Sequence, residues 1–244
     1  MRRILIALGL LMVAEGAVAG EVKVAVASNF TVTAERLAAA FTARTGDEAV
    51  LSFGASGALY TQIAQGAPFE VLLSADGARP RMAIENGFAV GGTRQTYAIG
   101  ALVLYAPGLD LTSGFGVLKA DAFAHLAVAD PTTSPYGAAA DFALAALGLK
   151  GPLADRLVVG ENIGQTLQFI ESGNAELGFV ALAQVMDQDK AHVWVVPRSL
   201  YRPIAQDAVL LNPGADNAVA KAFLDFLKSD EARTIIGASG YELP

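Results

Sequence analysis

Strand-like and helix-like segments alternate through the first part of this 244-residue chain, and this order constrains its fold more than any other feature. Short runs rich in β-branched residues are typical of strands, and apolar residues at helical spacing, closed by glycine, are typical of helices. The predicted strands are 21–27, 48–53 and 71–74, and the predicted helices are 30–45, 58–65 and 79–86. A β-α-β-α-β order predicts a parallel sheet whose ligands bind beyond the carboxyl ends of its strands.

A longer apolar run at 97–106 predicts a strand that crosses into a second α/β half, and the chain returns near 201–209. The second half and the C-terminal region are predicted to contain strands 126–128, 157–159, 177–180 and 208–211 and helices 138–147, 166–171, 217–228 and 230–237. We therefore expect an α/β fold of two lobes. Residues 20–97 and 206–244 form the first lobe, and residues 98–205 form the second, which is inserted through hinge strands. Ligands commonly bind between such lobes.

The first 19 residues have the features of a secretory signal peptide. Arg2 and Arg3 precede a charge-free apolar run at 4–13, and Ala17-Val18-Ala19 is typical of a cleavage site. The run is shorter than the ~20 residues that a membrane-spanning helix needs. We expect cleavage after Ala19 and export of the mature chain.

Charge and cysteine content exclude several classes of function. The chain has 24 acidic and 17 basic residues, a net charge of −7, and no cysteine. An acidic chain without a basic cluster is a poor nucleic-acid binder. The absence of cysteine excludes disulfides, thiolate metal sites and a lipid-modified cysteine. If the ligand is an anion, local hydrogen-bond donors and helix N-termini have to attract it.

No familiar catalytic motif occurs, and we expect the protein not to be an enzyme. There is no HExxH, P-loop or GxGxxG motif, and the only histidines, His125 and His192, lie in unrelated contexts. A serine hydrolase is the alternative, because residues 54–58 (GASGA) come near the G-x-S-x-G elbow with Ser56 as nucleophile. Ala58 stands where that motif has its last glycine.

Four polar loops precede helices, two in each half of the chain. They are Ser28-Asn29 and the stretches 54–57, 130–137 and 160–165. Each has two interpretations, since Ser, Asn and Gly at such positions serve either as helix caps and turns or as part of an anion site at a helix N-terminus. Together, split between two lobes, they suggest a cleft that closes on an anion.

Six stretches, in one order over nearly the whole mature chain, resemble the periplasmic molybdate-binding proteins of ABC transporters. They are VAVASNF (24–30), LSFGASGALYTQIAQGAPFEVLLSAD (51–76), TRQTYAIGALVLYA (93–106), ADPTTSPYGAAA (129–140), GENIGQTLQFIESGNAELGFVALAQV (160–185) and GYELP (240–244). The resemblance implies the type II periplasmic binding fold, in which each lobe is a mixed, mainly parallel sheet flanked by helices. It also implies a monomer in the periplasm, without a cofactor, that captures molybdate, and also tungstate, and delivers it to a membrane permease.

The resemblance also implies a set of ligand-binding residues. In the first lobe they are Ser28, Asn29 and Ser56, and in the second they are Tyr136 and the main-chain N–H of Ile163. No metal other than the bound molybdate is implied. Ala181 stands where many relatives carry a binding tyrosine, so we expect Tyr136 to supply a hydroxyl from the other loop.

The chemistry of these residues suits a fully deprotonated oxyanion. Molybdate, tungstate and sulfate only accept hydrogen bonds near neutral pH, whereas phosphate keeps a proton and gains from an acceptor such as aspartate. None of the five positions is Asp or Glu, which disfavours phosphate. Tungstate or sulfate stays open as the preferred ligand, because cavity size decides among these anions.

Overall fold

The computed structural model describes residues 19–120 and 122–244, which form two five-stranded sheets flanked by helices. The predicted leader lies outside the described residues except for Ala19. The strands are β1 (Glu21–Ala27), β2 (Glu48–Gly54), β3 (Val71–Ser74), β4 (Gln95–Gly100), β5 (Leu102–Tyr105), β6 (Leu126–Ala129), β7 (Leu157–Gly160), β8 (Leu177–Ala181), β9 (Val193–Val195) and β10 (Ile204–Leu210). The α-helices are α1 (Thr31–Thr45), α2 (Ser56–Ala64), α3 (Ala78–Glu85), α4 (Pro135–Ala146), α5 (Ile163–Glu171), α6 (Ala218–Phe226) and α7 (Asp230–Ala238).

The first sheet has the order β2-β1-β3-β10-β4 and combines strands from both ends of the chain. The strand β1 lies parallel to β2 and β3, while β10 runs antiparallel to β3 and β4. The second sheet has the order β7-β6-β8-β5-β9, in which β6 is parallel to β7 and β8, and β5 is antiparallel to β8 and β9. The expected α/β fold of two lobes with mixed sheets is therefore confirmed.

Both sheets are covered by helices on both faces, which explains why their central strands are continuous apolar runs rather than alternating ones. In β3, Val71 and Leu73 pack into a core shared with α1, α6 and α7, whereas Leu72 packs into a core shared with α2 and α3. The second sheet divides in the same way, with α4 on one face and α5 on the other. Among the described residues, no helix has the length and apolar character needed to cross a bilayer.

The chain crosses between the two sheets at two adjacent places, which we call the hinge. Residues 97–106 are two strands rather than one, because β4 ends at Gly100 in the first sheet and β5 begins at Leu102 in the second. The return crossing is made by residues 202–203 before β10. The lobe boundaries expected at 97/98 and 205/206 stay a prediction.

The C-terminal tail lies against the hinge. Glu242 exchanges two main-chain hydrogen bonds with Ile99 of β4, at 2.8 and 3.0 Å between nitrogen and oxygen. This contact continues the first sheet past β4 and holds the preceding residue, Tyr241, in the lobe interior, where it is 5% exposed.

Three helices begin earlier than the sequence pattern predicted, and this correction brings polar residues into their first turns. The helices α2, α4 and α5 begin at Ser56, Pro135 and Ile163, not at 58, 138 and 166. Periodicity missed these turns because a glycine interrupts the apolar pattern in each of them: Gly57 in α2, Gly137 in α4 and Gly164 in α5. In α4 and α5, caps decide the start: Ser134 Oγ accepts from Gly137 N, and Asn162 Oδ1 accepts from Gly164 N and Gln165 N.

Candidate anion-binding site

The five residues implied by the resemblance all lie where a strand ends and a helical segment begins. Ser28 and Asn29 follow β1 and start a short helical turn, Ser28–Phe30, ahead of α1. Ser56 is the first residue of α2, and Ile163 is the first of α5. Tyr136 is the second residue of α4. None of the five is more than 9% exposed.

Contacts across the cleft bring the two lobes' loops together at these residues. Gly164 N, next to Ile163, donates to Ser28 Oγ over 3.4 Å. Gly57 N, next to Ser56, donates to the main-chain oxygen of Thr133 over 2.8 Å. The structure thus gathers donors from the first turns of three helices, α2, α4 and α5, around one interlobe region.

The main-chain donors of this region include three that have no protein acceptor. Within residues 19–120 and 122–244, the N–H groups of Ser56, Tyr136 and Ile163 make no hydrogen bond to another protein group. Each of these residues is 2% exposed or less. Buried main-chain N–H groups are nearly always paired, since an unpaired one costs free energy comparable to a lost hydrogen bond. Three such groups at helix N-termini, where the helix dipole adds positive potential, are suited to an anion.

Three hydroxyl groups of the site accept a hydrogen bond from the protein and retain their own proton. Ser56 Oγ accepts from Ala75 N over 2.9 Å, Ser28 Oγ accepts from Gly164 N, and Tyr136 Oη accepts from Gln206 Nε2 over 3.4 Å. None of the three donates to a protein acceptor in the described part of the chain. A hydroxyl has one proton and two lone pairs, so each can still donate to a ligand.

Asn29 contributes differently from the two serines. Its Nδ2 group donates to Gln206 Oε1 over 2.9 Å and to Tyr241 Oη over 3.1 Å, which uses both amide protons. Tyr241 Oη in turn donates to the main-chain oxygen of Asn29 over 2.7 Å. The side chain of Asn29 therefore holds its loop in place, and its main-chain N–H is what it can offer an anion.

Carboxylates are absent from the immediate contacts of the site. No aspartate or glutamate oxygen bonds to any of the five residues within the described ranges. The two buried or half-buried carboxylates that lie on neighbouring strands or loops have other partners. Asp207 accepts from Arg94 Nη1 and Thr96 Oγ1, both over 2.8 Å, and Asp76 pairs with Arg79 Nη1 over 2.6 Å. The site accordingly offers protons and no competing acceptor carboxylate.

Neither histidine belongs to the site. His125 donates its main-chain N–H to Glu176, and His192 Nδ1 lies 2.9 Å from the main-chain oxygen of Leu109. The partner of Ser56 Oγ is a main-chain N–H, so the serine has no general base in the described residues. No cluster of His, Cys, Asp and Glu that could hold a metal cation occurs in the described ranges.

Residues 22–242 match the family model described as bacterial extracellular solute-binding protein. The chain belongs to this family. The match extends from the second residue of β1 to the tail beside the hinge, so it includes both lobes and every loop of the candidate site.

Relatives of this solute-binding protein include two that are named for the same ligand. Molybdate-binding protein ModA of Rhodobacter capsulatus is 51% identical over 226 residues, which cover 92% of this chain and 89% of the relative. ModA of Azotobacter vinelandii is 48% identical, with 99% and 97% of the two chains covered. A solved structure, the periplasmic molybdate-binding protein of Azotobacter vinelandii, aligns with a TM-score of 0.87 at 42% identity, covering 91% of this chain and 99% of that one.

The structure adds four residues to the candidate site of this solute-binding protein that the sequence did not single out. Gln206, Tyr97 and Tyr241 surround Asn29 and Tyr136, and Tyr97 Oη donates to Gln206 Oε1 over 3.2 Å. Gln184 accepts from Ala181 N and donates to the main-chain oxygen of Ile163, so the segment after β8 holds the start of α5 in place. The GYELP and TYAIG stretches contained two of these residues, but nothing in them indicated a polar contact.

Burial keeps the phenols of this region protonated. Desolvation raises the pKa of Tyr97 and Tyr136 well above the ordinary value of 10.0, and it also raises the pKa of Tyr241. The neighbouring phenol of Tyr241 and the carboxylates of Asp207 and Asp76 add to the rise in the pKa of Tyr97. These groups therefore stay neutral hydrogen-bond donors throughout the physiological range.

The contribution of these phenols to the free energy of unfolding should be constant up to about pH 9 and fall above about pH 10. A phenol whose pKa is raised in the folded state stabilises the fold fully below its unfolded pKa of about 10. That contribution is lost as the pH rises toward the folded pKa, because the unfolded chain releases its protons first. Urea unfolding at several pH values measures this decline. Tyr97→Phe should reduce this decline, because it removes one of the phenols with a raised pKa. An equal decline in Tyr97→Phe and in the natural protein would contradict the assignment.

Proposed function

We propose that this chain is a periplasmic solute-binding protein that captures molybdate in the interlobe cleft and presents it to an ABC permease. The observation that carries the proposal is the set of buried N–H groups of Ser56, Tyr136 and Ile163, contributed by both lobes and lacking a protein acceptor. The names of the relatives from Rhodobacter capsulatus and Azotobacter vinelandii support molybdate as the anion.

Neutral donors suit molybdate because the ion is fully deprotonated and only accepts hydrogen bonds. Besides the main-chain N–H of Asn29, three N–H groups and three hydroxyl protons are available around the cleft, and no carboxylate accepts from the same residues in the described ranges. Each hydrogen bond to a charged ligand contributes roughly 1.5–3 kcal/mol. A closed site with several such bonds supports micromolar to nanomolar binding, about −8 to −12 kcal/mol.

The same groups can donate hydrogen bonds to tungstate, which has nearly the size of molybdate, and we propose that tungstate binds as well. Sulfate is smaller and makes fewer simultaneous contacts in a site of molybdate size. Phosphate brings a proton that finds no carboxylate acceptor beside the five site residues of the described chain. The expected order is therefore molybdate and tungstate first, then sulfate, then phosphate.

The features of the leader and the family support the proposed location and partners. Residues 1–19 have the features of a secretory signal, so the mature chain begins at Gly20 in the periplasm. A permease in the membrane receives the anion from the closed protein. We propose that the protein acts as a monomer, without a cofactor or catalytic activity, since a single chain supplies donors from both sides of the cleft.

The site prediction is tested by two substitutions that remove one hydroxyl each. Ser56→Ala and Tyr136→Phe should weaken molybdate binding about 10- to 100-fold, the equivalent of one charged hydrogen bond. Calorimetric titration measures the effect. Ser52→Ala, at an exposed serine of β2, and His125→Ala are the matched controls and should bind as the natural protein does. Loss of binding in His125→Ala with full binding in Ser56→Ala would contradict the site.

Thermal unfolding with a panel of oxyanions shows which anion binds, because a bound ligand raises the Tm. A ligand at about a thousandfold excess over its Kd adds about 4 kcal/mol of stability, which raises the Tm of a chain this size by roughly 10 °C. Molybdate and tungstate should give such a shift. A protein whose Tm responds to phosphate but to neither of these ions would contradict the proposed function.

Closure of the lobes is the proposed response to the anion, because the donors come from both of them. Two further contacts hold the closed arrangement at the rim: Gly57 N donates to Thr133 O, and Arg79 Nη2 donates to Thr132 O, both over 2.8 Å. Gly57 allows this approach, since a Cβ there would lie 2.9 Å from Thr133 Cα.

Gly57→Ala should therefore oppose closure without weakening the first lobe, because alanine is the better helix former. The molybdate-induced decrease in radius of gyration should become smaller, and affinity should fall about tenfold or more as the closed state is depopulated. Small-angle scattering and calorimetry measure the two effects. Gly91→Ala, where a Cβ meets no atom within 4 Å, is the control. An unchanged scattering response in Gly57→Ala would contradict the closure account.

A further inference from the structure

Gln206 lies at the centre of the polar contacts behind the candidate site, although it is not one of the proposed ligands. It is a residue of β10, next to the hinge, and its exposure is 0%. The pairing of β10 with β4 shifts register at this point: Gln206 lies opposite Ala98 and Asp207 opposite Thr96, so Tyr97 is the extra residue. Such bulges redirect side chains and are common beside functional sites.

Both ends of the Gln206 amide are engaged, and they connect the two lobes. Oε1 accepts from Asn29 Nδ2 over 2.9 Å and from Tyr97 Oη over 3.2 Å. Nε2 donates to Tyr136 Oη over 3.4 Å. One side chain therefore contacts the loop after β1 in the first lobe and the first turn of α4 in the second.

The direction of the bond to Tyr136 has a consequence for the proton of that phenol. Because the amide N–H occupies a lone pair of Tyr136 Oη, the phenolic proton points away from Gln206 and stays available to an acceptor in the cleft. A side chain that accepted a hydrogen bond at this position would bind the phenolic proton of Tyr136 and turn it away from the cleft. Room for the arrangement comes from Gly100, where a Cβ would overlap Tyr136 Oη and lie 2.9 Å from Gln206 Nε2.

The charge of this position matters as much as its hydrogen bonds. The polar groups that face Gln206 are the amide of Asn29 and the phenols of Tyr97, Tyr136 and Tyr241, all neutral. No lysine or arginine bonds to them in the described residues. Glutamine is thus a neutral residue whose amide accepts a hydrogen bond from Asn29 and donates one to Tyr136 at the same time.

We propose that Gln206 is a positioning residue for the anion site. Its side chain directs the Tyr136 proton into the cleft, holds the side chain of Asn29 in place and keeps this position free of negative charge. This rests on the proposed capture of molybdate. Its role is indirect, because the amide touches two of the proposed ligand residues rather than the ligand.

The test compares molybdate affinity at several pH values in the natural protein and in Gln206→Glu. At pH 8 the new carboxylate should accept the Tyr136 proton and repel the dianion, weakening binding about 100-fold or more. Between pH 8 and pH 6 the affinity should recover, because the buried carboxyl, with no cation beside it, takes up a proton readily. The natural protein should show no such pH dependence. Gln188→Glu is the matched control: it makes the same charge change at an exposed residue whose partner is Tyr105, and it should bind as the natural protein does.

A second variant separates positioning from general damage to the fold. Gln206→Met keeps the volume and removes both hydrogen bonds and any charge, so affinity should fall about tenfold with no pH dependence. If Gln206→Glu does not fold, the methionine variant carries the test alone. Natural affinity in Gln206→Met, or a pH-independent loss in Gln206→Glu, would overturn the proposal. Failure of the natural protein to bind molybdate or tungstate would instead overturn the proposed function.

Discussion

Three buried main-chain N–H groups, those of Ser56, Tyr136 and Ile163, have no acceptor in the described chain, and the rest of the architecture serves to place them. Each belongs to the first turn of a helix, where the backbone leaves its donors unpaired as a matter of geometry. The two lobes place these first turns on opposite sides of one interlobe region. An isolated helix end is exposed to water, whereas these N–H groups belong to residues that are 2% exposed or less, which makes an anion a suitable partner for them.

The hinge is what allows opposite lobes to share this region. Both crossings lie beside β4 and β10, and the buried residue Gln206 sits on β10 next to them. The C-terminal tail closes the same area, since Tyr241 bonds to Asn29 and Glu242 pairs with Ile99. The polar contacts that orient the donors are therefore built into the segments that join the two lobes, so the proposed closure of the lobes would change the shape of the site.

Much of this could be predicted from sequence, and the remainder could not for identifiable reasons. Alternating strand and helix patterns predicted both sheets, because the strands are buried on both faces and the helices are amphipathic. Helix starts were wrong by two or three residues where small and polar residues such as Ser56 and Gly164 open the first turn. Gln206 was missed because its contacts with Asn29 and Tyr136 join residues 177 and 70 positions apart, which no local pattern encodes.

The central claim is that neutral donors alone hold a fully deprotonated ion, and proton exchange on binding tests it most directly. Calorimetric titration with molybdate at pH 8, in two buffers with different ionisation enthalpies, counts the protons taken up or released. The account predicts the same binding enthalpy in both buffers, and hence no net proton exchange. A difference that corresponds to about one proton per bound ion would contradict it, because a titrating group would then take part in the site.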